Sequence, residues 1–299
     1  MSSLHTRLCD LLGVRFPIVQ APMANNAPPA LAAAVSAAGA LGSIAGAGLS
    51  PGELRTAIRE VREATDRPFA VNIFAPPYLD DGSLEVVLEE RPRALSFTFG
   101  ILEPGPLRAA GIATLGTATT AKEARALEEA GVDAVVVQGG EAGGHRGSFL
   151  DGFPLVPLAE LVADCVDTVS VPVIAAGGIM DGAGIAAMLR LGAQGVSLGT
   201  AFLFTPEAGR PHEHLEALRT LETVVTDAYT GRPMRAARTR VLEELMAGPP
   251  PLPFPDQRRV AAASGPLFMG GTGAAQGREL EAAELVRLLV DEADAATRG

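Results

Sequence analysis

Lysine is nearly absent from this sequence, because Lys122 is the single lysine among 299 residues and arginine supplies every other basic side chain. Lys122 lies in TAKEARALEEAG, a pattern typical of a surface helix. A Schiff-base aldolase or a pyridoxal phosphate enzyme needs a lysine in a pocket, and a P-loop needs Gly-Lys followed by Ser or Thr. The sequence argues against all three classes.

Cysteine and long apolar runs are also scarce. Cys9 and Cys165 lie far apart and belong to no paired motif, which favours buried free thiols over a disulfide framework or a zinc site. The opening stretch MSSLHTRLCDLLGV lacks the apolar core of a signal peptide, and no segment offers about 18 uninterrupted apolar residues. We therefore expect a cytoplasmic protein that does not bind membranes.

Positive charge is outweighed by negative charge, and the formal net charge is −11. Binding to nucleic acid or to an anionic membrane needs a basic face, so neither is an expected partner.

Hydrophobic residues make up 47% of the chain, which is enough for a large core in one α/β barrel or in two modest domains. A small-molecule substrate is the expected partner. The oligomeric state stays open, with a homodimer as one alternative.

Short β-type runs alternate with helical patterns along the chain, as in a sheet built from βαβ units. Ser50 and Thr120 are predicted helix N-caps. Eight such repeats predict a (β/α)8 TIM barrel. An open doubly wound sheet is the alternative, although it would usually carry G-x-G-x-x-G after its first strand, where this chain has APMANNAPP. The eight runs are PIVQAPM, ALGSIAG, PFAVNIF, ALSFTFG, IATLGTA, DAVVVQG, PVIAAGG and GVSLGTAF.

The alternation breaks between residues 205 and 265, where the proline-rich stretch MAGPPPLPFPDQRR occurs. We interpret 205–265 as a short cap inserted after the eighth strand, and 1–204 with 266–299 as the barrel. The PPPLPFP run favours a stiff linker over a ligand for SH3 domains. The HEH triplet at 212–214 is interpreted as a solvated helix face rather than as a metal-binding pair.

Functional groups of a TIM barrel lie where its strands end. Those positions carry small or neutral polar residues and one histidine here. No pair of carboxylates suits a glycosidase, and no His-x-His ends a strand, so we predict no metal site. The candidates are Met23, Asn25, Asn72, Gln138, His145, Gly177, Gly178, Gly199 and Thr200.

Two kinds of group among these candidates favour flavin mononucleotide (FMN). The turns AAGGIMDG and SLGTAFLF place backbone N–H groups near a helix start, where a barrel binds phosphate without lysine. The amides of Asn72 and Gln138 suit the edge of a planar heterocycle, although capping of the strand ends is the alternative. In VQGGEAGGHRG, His145 is the group able to exchange protons, with Glu141 or Arg146 as the neighbour that adjusts it.

Six motifs spread in order over roughly residues 10–205 resemble the nitronate monooxygenases, also called 2-nitropropane dioxygenases: QAPMA, FAVNIF, SFTFG, VVVQGGEAGGHRG, PVIAAGGI and SLGT. The resemblance implies an FMN-dependent TIM barrel that oxidises alkyl nitronates with O2 to a carbonyl compound and nitrite, without metal or nicotinamide cofactor. It implies that His145 is the catalytic base or orients the substrate. It implies that FMN is bound by Asn72, Gln138, Gly143, Gly178 and the turn formed by Ser197, Leu198, Gly199 and Thr200. We predict that Ala21, Pro22, Met23, Gly144 and Gly177 complete the cofactor site.

Departures from the family pattern leave alternatives open. Ser197 stands where many relatives carry glutamine, and FMGGTGAAQG only loosely resembles the glycine-rich tail of the family. FMN-dependent enoyl-acyl-carrier-protein reductases, which use NAD(P)H, have a similar histidine loop but tend to carry glutamate at the position of Gln138. The neutral Gln138 favours the monooxygenase. A pathway flavoprotein without nitronate turnover is a third alternative. A barrel like GMP reductase is disfavoured, because Cys165 lies in a helical pattern.

Overall fold

Parallel strands form the centre of the computed structural model, which describes residues 4–24, 26–79, 82–150 and 152–298. Each of the eight predicted runs contains one of these strands. In chain order the strands are β1 (Ile18–Gln20), β2 (Gly42–Ala45), β3 (Phe69–Phe74), β4 (Ala94–Thr98), β5 (Ala113–Ala118), β6 (Ala134–Gln138), the short β7 (Gly144–His145), β8 (Val173–Ala176) and β9 (Gly195–Leu198).

The sheet closes on itself. Eight strands of the described chain, all except β7, pair in parallel in the order β1-β9-β8-β6-β5-β4-β3-β2. The ends of this order meet through Leu41, whose N–H donates to Ile18 O at 2.9 Å and whose carbonyl accepts from Gln20 N at 2.8 Å. A closed barrel leaves no unpaired edge. The predicted TIM barrel is therefore confirmed, and the open doubly wound sheet is wrong.

Helices cover the outside of the barrel and alternate with its strands, as the sequence predicts. The N-caps form as expected: Ser50 Oγ accepts from Glu53 N at 3.3 Å, and Thr120 Oγ1 accepts from Glu123 N at 3.1 Å. In chain order the helices are α1 (Arg7–Leu12), α2 (Pro29–Ala37), α3 (Pro51–Ala64), α4 (Ser83–Glu90), α5 (Gly105–Ala109), α6 (Ala121–Ala130), α7 (Leu158–Thr168) and α8 (Gly182–Arg190).

Helix α1 closes the amino end of the barrel. Its Leu8 and Leu12 are fully buried and share an apolar cluster with residues near the starts of the barrel strands, such as Ala94 and Ala134. Cys9 joins this cluster as a buried free thiol. The second thiol, Cys165, is also buried, and burial raises its pKa to about 12, so it stays protonated at neutral pH.

The chain beyond β9 adds a second, smaller sheet. Its elements are α9 (Thr200–Leu203), α10 (His212–Thr220), β10 (Thr223–Thr226), β11 (Met234–Ala237), α11 (Arg240–Met246), α12 (Asp256–Ala261) and the closing helix α13 (Ala282–Arg298). Strand β11 pairs antiparallel with both β10 and β7, and Met234 lies opposite His145. The region after Thr205 is therefore attached directly to the histidine loop. In the described ranges no helix is long and apolar enough to cross a membrane.

Two glycines test how closely the helices pack on the barrel. A Cβ on Gly42 in β2 would overlap the backbone of Ala32 in α2, whereas a Cβ on Gly52 in α3 would meet no atom within 4 Å. We expect Gly42→Ala to lower the free energy of unfolding by at least about 1–3 kcal/mol, because the backbones must separate. The matched Gly52→Ala should raise it by about 0.4–1 kcal/mol through reduced chain entropy. Urea unfolding measures both, and equal stability of the two variants would contradict this packing.

Candidate functional site

A cavity of about 430 Å³ opens at the carboxyl end of the barrel. Every predicted site residue that the structure describes lines it: Ala21, Pro22, Met23, Asn72, Gln138, Gly143, Gly144, His145, Gly177, Gly178, Ser197, Leu198, Gly199 and Thr200. Asn25 lies outside the described residues. The residues come together because the ends of parallel strands meet at one end of a closed barrel.

Gln138 holds the histidine loop against its own strand. Its side-chain Nε2 donates to His145 O at 2.9 Å, and its Oε1 accepts from Gly147 N at 2.8 Å. The amide therefore ties the backbone at His145 and at Gly147 to the end of β6. An amide retains one further N–H and one further lone pair for a ligand. Its contact with a flavin ring stays a prediction, and its hydrogen bonds to the loop are the observed role.

Buried arginines shape the same loop. The Arg146 guanidinium, fully buried, donates to Gly139 O at 2.6 Å and to Gln138 O at 3.0 Å. Burial lowers the pKa of Arg146 to about 10, so it remains charged at neutral pH. From the region after Thr205, Arg232 donates to Ser148 O and Arg235 donates to Gly140 O at 2.7 Å. The loop is thus held by cations that bind its backbone carbonyls.

His145 lies in an apolar and electropositive environment. Its ring makes edge contacts with Phe254 and Phe99, with centroids 5.4 and 6.0 Å away. Burial, and then the charges of Arg232 and Arg258, lower its pKa to about 3. His145 is therefore neutral at pH 7. Its buried Nε2 has no hydrogen-bond partner among the described residues, which leaves a polar atom for a ligand to pair.

The neighbours that adjust His145 are not the predicted ones. The Glu141 carboxylate faces helix α7, where it accepts from Leu158 N at 3.0 Å. Arg146 is engaged by the loop carbonyls, and it is Arg232 and Arg258 that act on the imidazole. Both lie about 90 or more residues further along the chain, so spacing in the sequence offers no indication of them.

The glycine turns after β8 and β9 have the backbone that an anion site needs. Gly177 and Gly178 take φ values of +131° and +68°, which L side chains rarely adopt. After β9, Gly199 precedes α9, whose first N–H groups have no partner within the helix. This helix has only four residues, so its dipole contributes little, and backbone N–H groups are the main donors of this site.

Several lining residues were not predicted from the sequence. These residues are Phe99, Tyr229, Arg258, Met269, Gly270, Gly271 and Gly273. At Gly143 a Cβ would come within 2.5 Å of Gly270, so the glycine tail lies directly on the histidine loop. The sequence held a signal for some of them: FMGGTGAAQG is rich in glycine, and Phe99 directly follows the strand β4, with a left-handed φ of 76°.

The HEH interpretation needs a correction. His214 is buried rather than solvated, because α10 packs its ring on Phe268, with centroids 5.0 Å apart. Its Nε2 lies 3.4 Å from Met269 O, a backbone partner. In the part of the chain that the structure describes, no group of three His, Cys, Asp or Glu side chains is placed to hold a metal ion.

Comparison with known proteins decides the family. The sequence profile described as nitronate monooxygenase matches residues 5–82 and 76–292. The nitronate monooxygenase of Pseudomonas aeruginosa is 42% identical, over 96% of this chain and 98% of the relative. The chain belongs to the nitronate monooxygenase family. The resemblance seen in the sequence is confirmed.

Solved structures agree with this family. The nitroalkane oxidase from Streptomyces ansochromogenes is 37% identical with a TM-score of 0.90, and the match covers 97% of this chain and 99% of that one. FabK from Thermotoga maritima is 32% identical with a TM-score of 0.83, covering 98% and 97% of the two chains. Nearly the whole fold, including most of the region after β9, is therefore shared with these proteins.

Nitronate monooxygenases are flavin enzymes, and the chemistry of the cavity fits such a group. Its volume lies in the range typical of small-molecule sites. Asn72 donates Nδ2 to Ser96 Oγ at 3.0 Å, and no described donor pairs with its Oδ1. The described lining contains no carboxylate that would repel a phosphate. The cavity therefore offers what an anionic cofactor with a ring requires. It has unpaired polar atoms for the ring and glycine turns for the phosphate, and its described lining has no acidic side chain.

The lowered pKa of His145 makes stability depend on pH. The unfolded imidazole protonates near pH 6.5 and the folded one only near pH 3, so the unfolded state binds more protons between these values. Stability therefore decreases as pH falls through this window. Between pH 7 and pH 5 we expect a loss on the order of 2 kcal/mol from this group. Urea unfolding of the cofactor-free protein at both pH values measures it.

The matched variant for this measurement is His145→Phe, which keeps a ring between Phe99 and Phe254 and cannot titrate. It should lack this part of the pH dependence. His212→Gln, which changes an exposed histidine of α10, serves as the control and should behave as the unchanged protein. An equal pH dependence of the His145→Phe variant and the unchanged protein would show that His145 is not buried as described.

Proposed function

We propose that this protein uses FMN to oxidise alkyl nitronates with O2, giving a carbonyl compound and nitrite. The observation that carries the proposal is His145, a neutral imidazole with an unpaired Nε2 beside a cavity whose described lining holds no acidic side chain. A nitronate is a small anion with two oxygen acceptors, and it suits such a site. Membership of the nitronate monooxygenase family supports the same reaction.

The residues that would hold FMN divide into two groups. Backbone N–H groups of the turns at Gly177, Gly178, Gly199 and Thr200 would bind the phosphate, since each turn faces the cavity. The side chains of Asn72 and Gln138 would meet the polar edge of the ring. The other predicted contacts are Ala21, Pro22, Met23, Gly143, Gly144, Ser197 and Leu198, which line the same cavity.

Bound FMN would supply the redox chemistry, accepting electrons from the nitronate and reducing O2. The protein's own contribution comes from His145. Its pKa of about 3 makes it a weak base at neutral pH, because a base works best when its pKa lies near the working pH. We therefore assign His145 to orienting a preformed nitronate through a hydrogen bond, rather than to removing a proton from a neutral nitroalkane. The surrounding Phe99 and Phe254 rings exclude water from it.

We also propose that residues 205–265 form a cap on a barrel made of 1–204 and 266–299. In support, β11 pairs with β7 at His145, and Arg232 reaches across to the loop that follows His145. A cytoplasmic location stays a prediction from the sequence.

The identity of the cofactor is the first test. Flavin released from the purified protein by heat should co-migrate with FMN on HPLC, because each phosphate-binding turn offers N–H groups for one phosphate. FAD as the main species would contradict the proposed site, since the cavity of about 430 Å³ would have to hold an adenosine and a second phosphate.

Turnover is the second test. Oxygen uptake should begin when propyl 2-nitronate is added without NAD(P)H, and nitrite should accumulate with it. Anaerobic mixing with NADH should leave the flavin oxidised over the same period. Rapid bleaching by NADH, with no oxygen uptake on the nitronate, would favour the enoyl-thioester reductase. Binding of FMN without either reaction would favour the pathway flavoprotein.

Variants of His145 and His212 test whether His145 takes part in this turnover. His145→Ala should retain FMN and lose roughly 5- to 150-fold in kcat/KM for the nitronate, the cost of one unmade hydrogen bond of about 1–3 kcal/mol. His212→Gln, on the surface of α10, should match the unchanged protein. Near-normal turnover by His145→Ala would remove His145 from the mechanism.

A further inference from the structure

Arg258 differs from the other arginines around the site. Arg146, Arg232 and Arg235 all donate to backbone carbonyls of the histidine loop or of the residues that follow it. Arg258, on α12, makes no ion pair or side-chain hydrogen bond with any described residue. Among the described residues that line the cavity, it is the one with a charged side chain.

The charge of Arg258 reaches into the cavity. It adds to the fall in the pKa of His145, and it offsets part of the rise that burial causes in the pKa of Tyr229; both of these residues also line the cavity. The Tyr229 hydroxyl is already engaged, because it donates to Gly265 O at 2.7 Å. Since His145 is neutral, Arg258 supplies the positive charge that attracts an anion bound in the cavity.

We propose that Arg258 is a specificity-determining residue, whose unpaired guanidinium beside the cavity selects anionic nitronates over neutral nitroalkanes. This inference rests on the proposed function. The net charge of −11 makes a local cation important for binding, because the chain as a whole repels an anionic substrate. A cation at the cavity offsets that repulsion locally, raising the rate of productive encounter for anions and leaving neutral molecules unaffected.

Arg259 provides a matched control on the same helix. Its guanidinium pairs with Asp256 at 3.7 Å, its side chain is 84% exposed, and it does not line the cavity. Arg258→Gln and Arg259→Gln thus remove the same charge one residue apart, on two different sides of α12. Arg258→Lys restores the charge without the guanidinium.

Steady-state kinetics with propyl 2-nitronate and with neutral 2-nitropropane tests the selection. Arg258→Gln should lower kcat/KM for the nitronate by about tenfold, mainly through KM, and leave the value for 2-nitropropane within about twofold. Added salt should lower the nitronate value for the unchanged protein and have less effect on this variant, because the charge that salt screens is gone. Arg258→Lys should recover most of the loss, and Arg259→Gln should show none. An unchanged nitronate value, or an equal fall for both substrates, would overturn the proposal.

Equilibrium binding of nitrate separates this proposal from the proposed function. Nitrate is a planar anion that undergoes no turnover, and its affinity for the purified flavoprotein is measured by calorimetry. Arg258→Gln should weaken nitrate binding by about tenfold, and Arg259→Gln should not. If no variant oxidises nitronates but this difference is found, the proposed function fails and the anion-selecting role stands. If nitronates are oxidised and nitrate binds Arg258→Gln normally, the role of Arg258 fails alone.

Discussion

The binding of buried guanidinium groups to backbone carbonyls is the interaction on which the rest of the site depends. Arg146 is fully buried and donates to Gly139 O, Gln138 O and Pro154 O, which lie on both sides of the histidine turn. A buried cation that loses these partners is costly, so the turn has little freedom to take another shape. The position of His145 follows from this constraint, and so does its neutrality, because the nearby cations oppose its protonation.

Aromatic side chains are few in this chain, yet they gather at this site. The sequence has 11 phenylalanines, two tyrosines and no tryptophan. Phe74, Tyr78, Phe99 and Phe254 nevertheless form one cluster, with ring centroids 4.6–6.3 Å apart, and two of its rings contact His145. The Arg232 guanidinium lies over Phe99, 3.9 Å from its centroid, where the face of the ring attracts a cation. The cluster joins the apolar wall of the cavity to the cations that hold the loop.

The parts of the structure that could be predicted from the sequence are those set by residues close together along the chain. The eight strands were found because each apolar run is short and is separated from the next by a helix with its own caps, such as Ser50 and Thr120. Barrel geometry then brings the strand ends together, which is why Asn72, Gln138 and Gly178 were found. Arg232, Phe254 and Arg258 belong to the region after Thr205, which does not continue the alternation of strands and helices in the barrel. The burial of His214 was missed for the same reason, because the partner of its ring, Phe268, is distant in the sequence.

The pairing of β11 with β7 bears on the order in which the molecule is assembled. His145 and Met234 are neighbours in space but 89 positions apart along the chain, so their contact closes a long loop. Closing such a loop costs conformational entropy, which the contacts that it allows have to offset. During synthesis from the amino end, the eight barrel strands are complete once β9 is made, while the last third of the chain is still missing. The pairing of His145 with Met234 therefore becomes possible only after all eight barrel strands have been synthesised.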